Sequence, residues 1–446
     1  MNLVISDIHS PLTRTWLKLG IASLIAAGIF SLLLVVSRTP GVQEVIPWID
    51  FFHTALVVHV NLSVLYWFMS FSCVFWSIYA GKQYLIFEKI ALILCIIGTI
   101  VLVASPFLGA GKPLINNYIP VLQHSLFLWG ISLFSSGVLI QCIRALSILP
   151  KTDDISRLAP YIAAILSLSA FIALFVSWLN LDPEIENLSY YEYLFWGSGH
   201  ILQFSHTCFL LFSWLLLISF TGGNIAASPT VLKWLFVILL LPLLYALGIY
   251  LNHAVFSAEH RTQFTELMKY GGLTSLPIGL IIVWSIFKFR LNKSTETDAA
   301  KAALLSSIVL FAAGGIIGFL IHGVNVVIPA HYHGSIVGVT LAFMGIAYYL
   351  LPILGYRKPL WKMARVQPYI YAGGQLMHIL GLAWSGGYGV QRKTAGAAQG
   401  LDTLPEKIGM GMMGFGGLIS IIGGVLFLVV MIRSMRGEKA VNPNIS

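Results

Sequence analysis

The sequence predicts an all-α membrane protein, a bundle of twelve transmembrane helices in a single domain spanning 1–446, with both termini in the cytoplasm. Three observations predict it. Of 446 residues 58% are hydrophobic and only 10% charged, with a mean hydropathy of +0.86, a balance that excludes a soluble globular chain. Apolar runs of about 18 or more residues recur along the whole sequence, each long enough to cross a hydrocarbon layer as a helix. The cations cluster in alternate loops between those runs, as the topology rule for membrane proteins requires.

Taken in order, the first run, 16–36, follows Arg14 and Lys18 and is long enough to stay in the membrane, so no cleaved signal peptide is expected. The next, 51–79, begins after Asp50, and 90–107 lies between Lys89 and a Gly-Lys-Pro loop. Runs at 118–143 and 160–179 are separated by the charged stretch from Arg144 to Arg157, and Pro160 opens the second of them. An acidic loop with Asp182, Glu184, Glu186 and Glu192 precedes 193–220, which is followed by 231–254 and, after Glu259 and Glu266, by 272–289. The last four are 302–321, 329–355, 368–384 and 410–432, two of them opening on Pro329 and Pro368.

Lys82 and Lys89, Arg144 to Arg157, Lys288-Phe289-Arg290, Arg357-Lys358 to Arg365, and Arg433 to Lys439 all fall on one side of this alternation. That side is therefore cytoplasmic. Glu44, Asp50 and the acidic loops fall on the other. The excess of 26 Lys and Arg over 17 Asp and Glu reports topology, and nucleic acid is not an expected partner; the lipid bilayer is. Cys73, Cys95, Cys142 and Cys208 all lie in apolar runs without a CxxC spacing, so neither a disulfide framework nor a zinc site is expected.

The run at 329–355 opens on Pro-Ala-His-Tyr-His-Gly, with His331 and His333 two residues apart. Each helical residue turns about 100°, so the two rings leave the helix about 200° apart and serve opposite faces. One helix is thereby able to hold two different metal centres, and imidazole is a usual axial ligand of haem iron. Other histidines fall in the same outer layer: His59 in the second run, His200 in the sixth, and Asn252-His253 at the outer end of the seventh. Ionisable groups within membrane segments point to function, and four runs placing histidine at one depth point to metal or haem ligation. His53, His124 and His378 have no evident partner of this kind and are expected to be satisfied packing residues.

His59, Trp196-Gly197-Ser198-Gly199-His200, Asn252-His253, His331-Tyr332-His333 and the later Tyr348-Tyr349-Leu350-Leu351-Pro352 together resemble subunit I of the haem-copper oxidase superfamily, which includes terminal oxidases and nitric oxide reductases. The resemblance covers the whole twelve-span core. It implies that His59 and His333 are the axial ligands of a low-spin haem, that His331 is the proximal ligand of a high-spin haem, and that His200 and His253 hold copper, or non-haem iron, facing it. His331, His200 and His253 would then be the catalytic set. Arg392-Lys393, after the eleventh run, matches the family's basic pair for haem propionates, and His322 and Asn325 before the tenth run are further candidates for a propionate or a water.

The sequence departs from the family in two places. Where the pattern has adjacent histidines, this chain reads Asn252-His253, and an amide oxygen is a harder ligand than imidazole. A copper site with Asn252 among its ligands, an iron site and an empty site all stay open. His206 is a poor substitute, because six residues turn a helix about 600°, which is 120° short of two full turns. The position one turn after His200, a redox tyrosine in many oxidases, is Phe204; Tyr245 and Tyr250 lie in the seventh run, and the acid that nitric oxide reductases carry near the metal is not evident, the sixth run offering Gln203.

The function expected from the resemblance is that of a catalytic subunit in a respiratory terminal-oxidase-like complex reducing dioxygen to water. A nitric oxide reductase-like enzyme and a divergent member without a complete copper site remain as alternatives, and a twelve-span secondary transporter as a remote one. No CxxCH or dinuclear copper motif is present, so a separate electron-entry subunit taking electrons from cytochrome c or quinol is implied. The expected location is a bacterial plasma (inner) membrane, with the ligand layer near its outer face.

Overall fold

The structure is a computed structural model, and it describes residues 10–36, 50–109, 111–150, 154–289, 291, 294–393 and 401–437. Glu44, Arg290 and Lys439, used above to assign topology, lie outside those residues. Among the described residues, eleven helices are long and apolar enough to cross a membrane. They are α1 (Ser10–Val36), α2 (Phe51–Ala80), α3 (Leu85–Leu108), α4 (Ser125–Leu146), α5 (Ile155–Asn180), α6 (Asn187–Phe220), α7 (Pro229–Asn252), α8 (Ala258–Lys288), α9 (Thr295–Phe319), α10 (Val327–Ile353) and α12 (Leu404–Met435).

The expectation of twelve apolar spans is thus corrected at one place. The run predicted at 368–384 lies in α11 (Trp361–Gly387), a helix of 27 residues, which is long enough to span at ~1.5 Å per residue. Its apolar character is diluted by Lys362, Arg365, Gln367, Gln375 and His378. Gln367 is fully buried, where its amide donates to the Gly423 carbonyl and its oxygen accepts from Tyr348, so those polar groups are satisfied by protein.

Local sequence explains most boundaries. Asp154, Ser228 and Ser257 cap α5, α7 and α8 through side-chain oxygens that accept backbone N–H groups. Ser294 with Thr297 and Thr403 with Glu406 form capping boxes at α9 and α12; such caps contribute about 1 kcal/mol each. Two predicted starts move. Residues 118–124 belong to a loop holding the antiparallel pair β1 (Pro113–Leu114) and β2 (Val121–Leu122), and α4 begins only at Ser125. The run predicted at 272–289 extends back to Ala258, because Ser257 caps a helix whose first turns are polar.

Two helices depart from regular α geometry. In α2 the turn Asn61–Tyr66, just after His59, is π-helical, a feature often found at functional sites. Its Asn61 amide donates both to Val57 O in its own helix and to Pro120 O in the α3–α4 loop, each at 2.8 Å. α7 is interrupted at Leu239–Leu240, between Pro229–Ile238 and Leu241–Asn252.

The helices group into two compact units. One comprises Val4–Phe212 and Ala227–Leu280, the other Ser213–Ala226 and Ile281–Ser446. In the first, α3 and α4 approach through small residues: a Cβ on Gly98 would lie 2.5 Å from the Phe134 nitrogen, and one on Gly130 2.8 Å from that of Leu102. In the second, α9 meets α10 where Gly314 faces Gly334, a Cβ on Gly334 falling 2.6 Å from the Gly314 Cα. Close backbone approach at glycine is the usual way helices associate in lipid, where no hydrophobic force drives them together.

Candidate haem and metal site

On α10 the opposite-face geometry expected from spacing is present. His331 is directed at α9, where its Nδ1–H is donated to the Gly314 carbonyl at 2.7 Å. His333 is directed at α11, its ring 5.0 Å from that of His378, and donates its Nδ1–H to the Pro329 carbonyl of its own helix at 2.8 Å. A carbonyl only accepts, so in each ring the proton sits on Nδ1 and Nε2 carries the lone pair. That is the arrangement of a ligating histidine, whose second nitrogen is held by a backbone acceptor.

His59 on α2 follows the same rule, donating Nδ1–H to the Ala27 carbonyl of α1 at 2.9 Å. So does His200 on α6, through the Trp196 carbonyl at 2.6 Å. His200 is 4% exposed and boxed by aromatic rings: Tyr118 and Trp196 at 4.9 Å and Phe264 at 5.5 Å. Glycine at 197 and 199 makes room for the box, since a Cβ on either would lie 2.3 Å from Tyr250 or Tyr118 respectively.

Tyr118 comes from the α3–α4 loop, outside the spans. Gln203 donates to its hydroxyl at 3.2 Å, and burial pushes that hydroxyl above the ordinary phenol range. The loop is tied to α6 through the Asn117 N–H, which donates to Glu192 at 3.0 Å. Phe204, at the position of the family's tyrosine, is buried and packs against Gly271.

The seventh helix ends at Asn252, and His253 leaves it with extended backbone as the C-cap. Asn252 is exposed, and its side-chain amide donates back to the Gly248 carbonyl at 2.7 Å. Asn252 and His253 lie on the wall of a cleft of about 250 Å³ beside Asn180 and Tyr250. Close by, His260 of α8 is fully buried, and neither of its ring nitrogens has a hydrogen-bond partner, which costs about 1–3 kcal/mol when left unmet. Its ring lies 5.0 Å from Tyr250 and 4.9 Å from Phe264. Sequence reasoning missed His260 because it falls outside the apolar runs that the bilayer length selects, and it placed Tyr118 at the start of the run 118–143, whereas the helix begins only at Ser125. The signal for His260 was Ser257, whose capping chemistry starts α8 before the apolar stretch.

The remaining candidates are placed as follows. Arg392 is near enough to Tyr332, between the α10 histidines, for its charge to act on that phenol; Lys393 follows in a left-handed backbone conformation, φ 63°. Asn325 donates to the His322 carbonyl and accepts from the Val327 N–H, forming the turn into α10. His53 pairs with Asp50, His124 caps α4, and His378 donates to the Met413 carbonyl. His206 packs edge-on against Phe68 at 4.9 Å.

The sequence model of cytochrome c and quinol oxidase polypeptide I matches residues 12–436. The chain belongs to this family. An uncharacterized protein of Rickettsia prowazekii (strain Madrid E) is 30% identical over 96% of each chain, and one of Aquifex aeolicus (strain VF5) is 28% identical over 79% of this chain and 88% of its own. A haem-copper terminal oxidase dimer solved by cryo-electron microscopy superposes with a TM-score of 0.72 at 17% identity, covering 97% of this chain and 84% of the other. The haem-copper oxidase subunit I family is one of membrane oxidoreductases that bind two haems and a second metal, and they work with further subunits and electron donors.

The donor chemistry is that of haem ligands: His59, His331 and His333 are imidazoles that each anchor Nδ1 to a backbone carbonyl. For the second metal, His200 is anchored in the same way, through the Trp196 carbonyl. Among the described residues no three His, Cys, Asp or Glu side chains stand together at metal-binding positions.

Proposed function

We propose that this subunit is the catalytic subunit of a respiratory terminal-oxidase-like complex that reduces dioxygen to water with electrons from cytochrome c or quinol. The observation that carries the reading is the pair on α10, His331 and His333, aimed at opposite faces with each Nδ1 held by a separate carbonyl. His59 and His333 would hold a low-spin haem, and His331 would hold a high-spin haem. His200 and His253 take two positions on the second metal, copper or non-haem iron, with Asn252 where the family has its further imidazole.

When bound, a bis-imidazole haem supplies one-electron transfer, and a five-coordinate haem beside a second metal supplies a place for a diatomic gas. The chain's own part is orientation. Each Nδ1–H···O=C bond fixes which nitrogen is the ligand and raises its basicity. Arg392 and Lys393 supply cations for the propionates. The aromatic box around His200 keeps water from that ring. An electron-entry subunit delivers electrons from the outer face of a bacterial inner membrane, where the ligand layer lies.

Phe204 and Asn252 favour a second reading, a nitric oxide reductase-like or divergent member, since both replace groups that oxygen-reducing relatives use. Purified protein with two haems per chain and oxygen consumption from reduced cytochrome c or quinol supports the first reading. Nitric oxide consumption without oxygen consumption moves the assignment to the second, and a chain without haem overturns both.

A further inference from the structure

We infer that the place where α10 ends, α11 begins and α12 ends is a binding site for the headgroup of an anionic phospholipid, held by Arg357, Arg433 and Arg436.

The loop after α10 lies on the end of α12, where the Arg357 N–H donates to the Ser434 and Gly437 carbonyls at 3.3 and 3.2 Å. The Arg357 side chain crosses Gly437 so closely that a Cβ at that position would overlap its Nε and Cζ. Arg433 stands one helical turn before Gly437, and Arg436 immediately before it. Three guanidinium-bearing residues therefore meet at one helix end, and all three are exposed.

Their charge is not met by carboxylates of the protein. At this end of the second unit, Glu296 and Asp298 of α9 are taken by Lys358 at 3.0 Å and Arg365 at 3.7 Å. The unit's other carboxylates among the described residues, Asp402 and Glu406, stand at the opposite end of α12. The carbonyls that close α12 offer about half a negative charge, too little for three cations. Cations gathered within the ~10 Å screening length repel one another, and an anion between them relieves that repulsion. Guanidinium groups bond phosphate oxygens in pairs, which makes phosphate the matching anion.

The surroundings select a lipid. The membrane-length helices α10 and α12 end here, and Ile353 and Leu360, on either side of Arg357 in sequence, are exposed, as is Val366 of α11. Trp361 opens α11, at the level of a membrane helix where indoles gather. Cations above apolar surface match a phosphodiester above acyl chains, and basic pockets between membrane helices take such headgroups. A free phosphate would leave the apolar surface unused. The site is separate from the α10 histidines: at ~1.5 Å per residue, Ile353 lies about 33 Å along the helix from His331.

The test is native mass spectrometry of the purified full-length protein in micelles doped with equal amounts of phosphatidylglycerol and phosphatidylcholine. Wild type is compared with Arg357→Gln/Arg433→Gln/Arg436→Gln and with Lys288→Gln/Lys301→Gln, which removes two exposed cations flanking the start of α9. Wild type is expected to retain phosphatidylglycerol in preference to phosphatidylcholine. The triple variant should lose at least about tenfold of that affinity, and the lysine pair less than about twofold. Equal retention of the two lipids by wild type overturns the inference, as does unchanged retention by the triple variant. An equal loss in the lysine pair also overturns it, since the attraction would then belong to the basic end at large. Displacement of phosphatidylglycerol by an equal concentration of inorganic phosphate would show an anion site that does not select lipid, and overturns it too. Should the triple variant fail to assemble, wild type cross-linked to photoactivatable phosphatidylglycerol decides: labelled peptides from 353–366 or 431–437 support the site, and labels only elsewhere overturn it.

Discussion

His331 donates its Nδ1–H to the Gly314 carbonyl at 2.7 Å, and one turn further along α9, a Cβ on Gly318 would lie 2.6 Å from the same nitrogen. The carbonyl holds the ring and the glycine gives it space. Gly318→Ala is therefore expected to displace His331 while leaving His333 in place. Loss of such ligand support costs about 10–100-fold in affinity or activity. Optical spectra of the purified variant check it: the high-spin signal falls and the low-spin signal persists.

The two α10 histidines should separate cleanly by substitution. His333→Ala is expected to abolish the low-spin haem spectrum, as is His59→Ala, while His331→Ala abolishes the high-spin one. Each leaves one haem per chain, read by haem content. A variant in which the two substitutions on α10 remove the same haem would contradict their assignment to opposite faces.

Glu88 and Arg144 form an ion pair at 3.0 Å with both side chains wholly buried. Trp16 donates to the carboxylate, and Arg144 also donates to the Gln83 and Gly81 carbonyls, each at 2.8 Å. Removing one partner strands the other charge away from water, so Arg144→Met is expected to cost about 3–5 kcal/mol. Replacing both by apolar residues should cost less than either alone. Unfolding in mixed micelles, followed by circular dichroism, measures both.

Glu186 caps α6 by accepting the Ser189 and Leu188 N–H groups, each at 3.0 Å, and those bonds hold its carboxyl below the usual carboxylate range. A depressed pKa means that the cap's contribution is complete above the unfolded carboxylate value of about 4.3 and fades as pH falls through the lower folded value. Amide-hydrogen protection in the first turn of α6 should decline over that acid range. In Glu186→Ala it should be low throughout and no longer follow this carboxyl.

Much of the architecture was legible because the bilayer imposes one length scale and the apolar runs obey it. What escaped notice is what the bilayer does not select. The helix holding Gln367 was legible as the run 368–384, but its start at Trp361 was not, because Lys362, Arg365 and Gln367 dilute the apolar signal there. The start of α8 is polar, so His260 was assigned to a loop. Tyr118 counted as the beginning of a span, although it is in a hairpin loop folded onto His200. The ligand histidines were legible through spacing and depth, but the carbonyls that orient them, Ala27, Trp196, Gly314 and Pro329, carry no side-chain signature and emerge only from folding.

The π-helical turn Asn61–Tyr66 sets a limit on how α2 can vary. A π turn admits one residue more than the α ladder, so the segment with His59 and the segment from Trp67 onward keep angular frames that differ by about 100° from an uninterrupted helix. One frame aims the imidazole at Ala27; the other buries Trp67 and Trp76. Deleting a single residue within 61–66 would merge the frames, and either the imidazole or the two indoles would have to turn out of place. The length of this helix is thus fixed to the residue, even though its composition could tolerate many apolar exchanges.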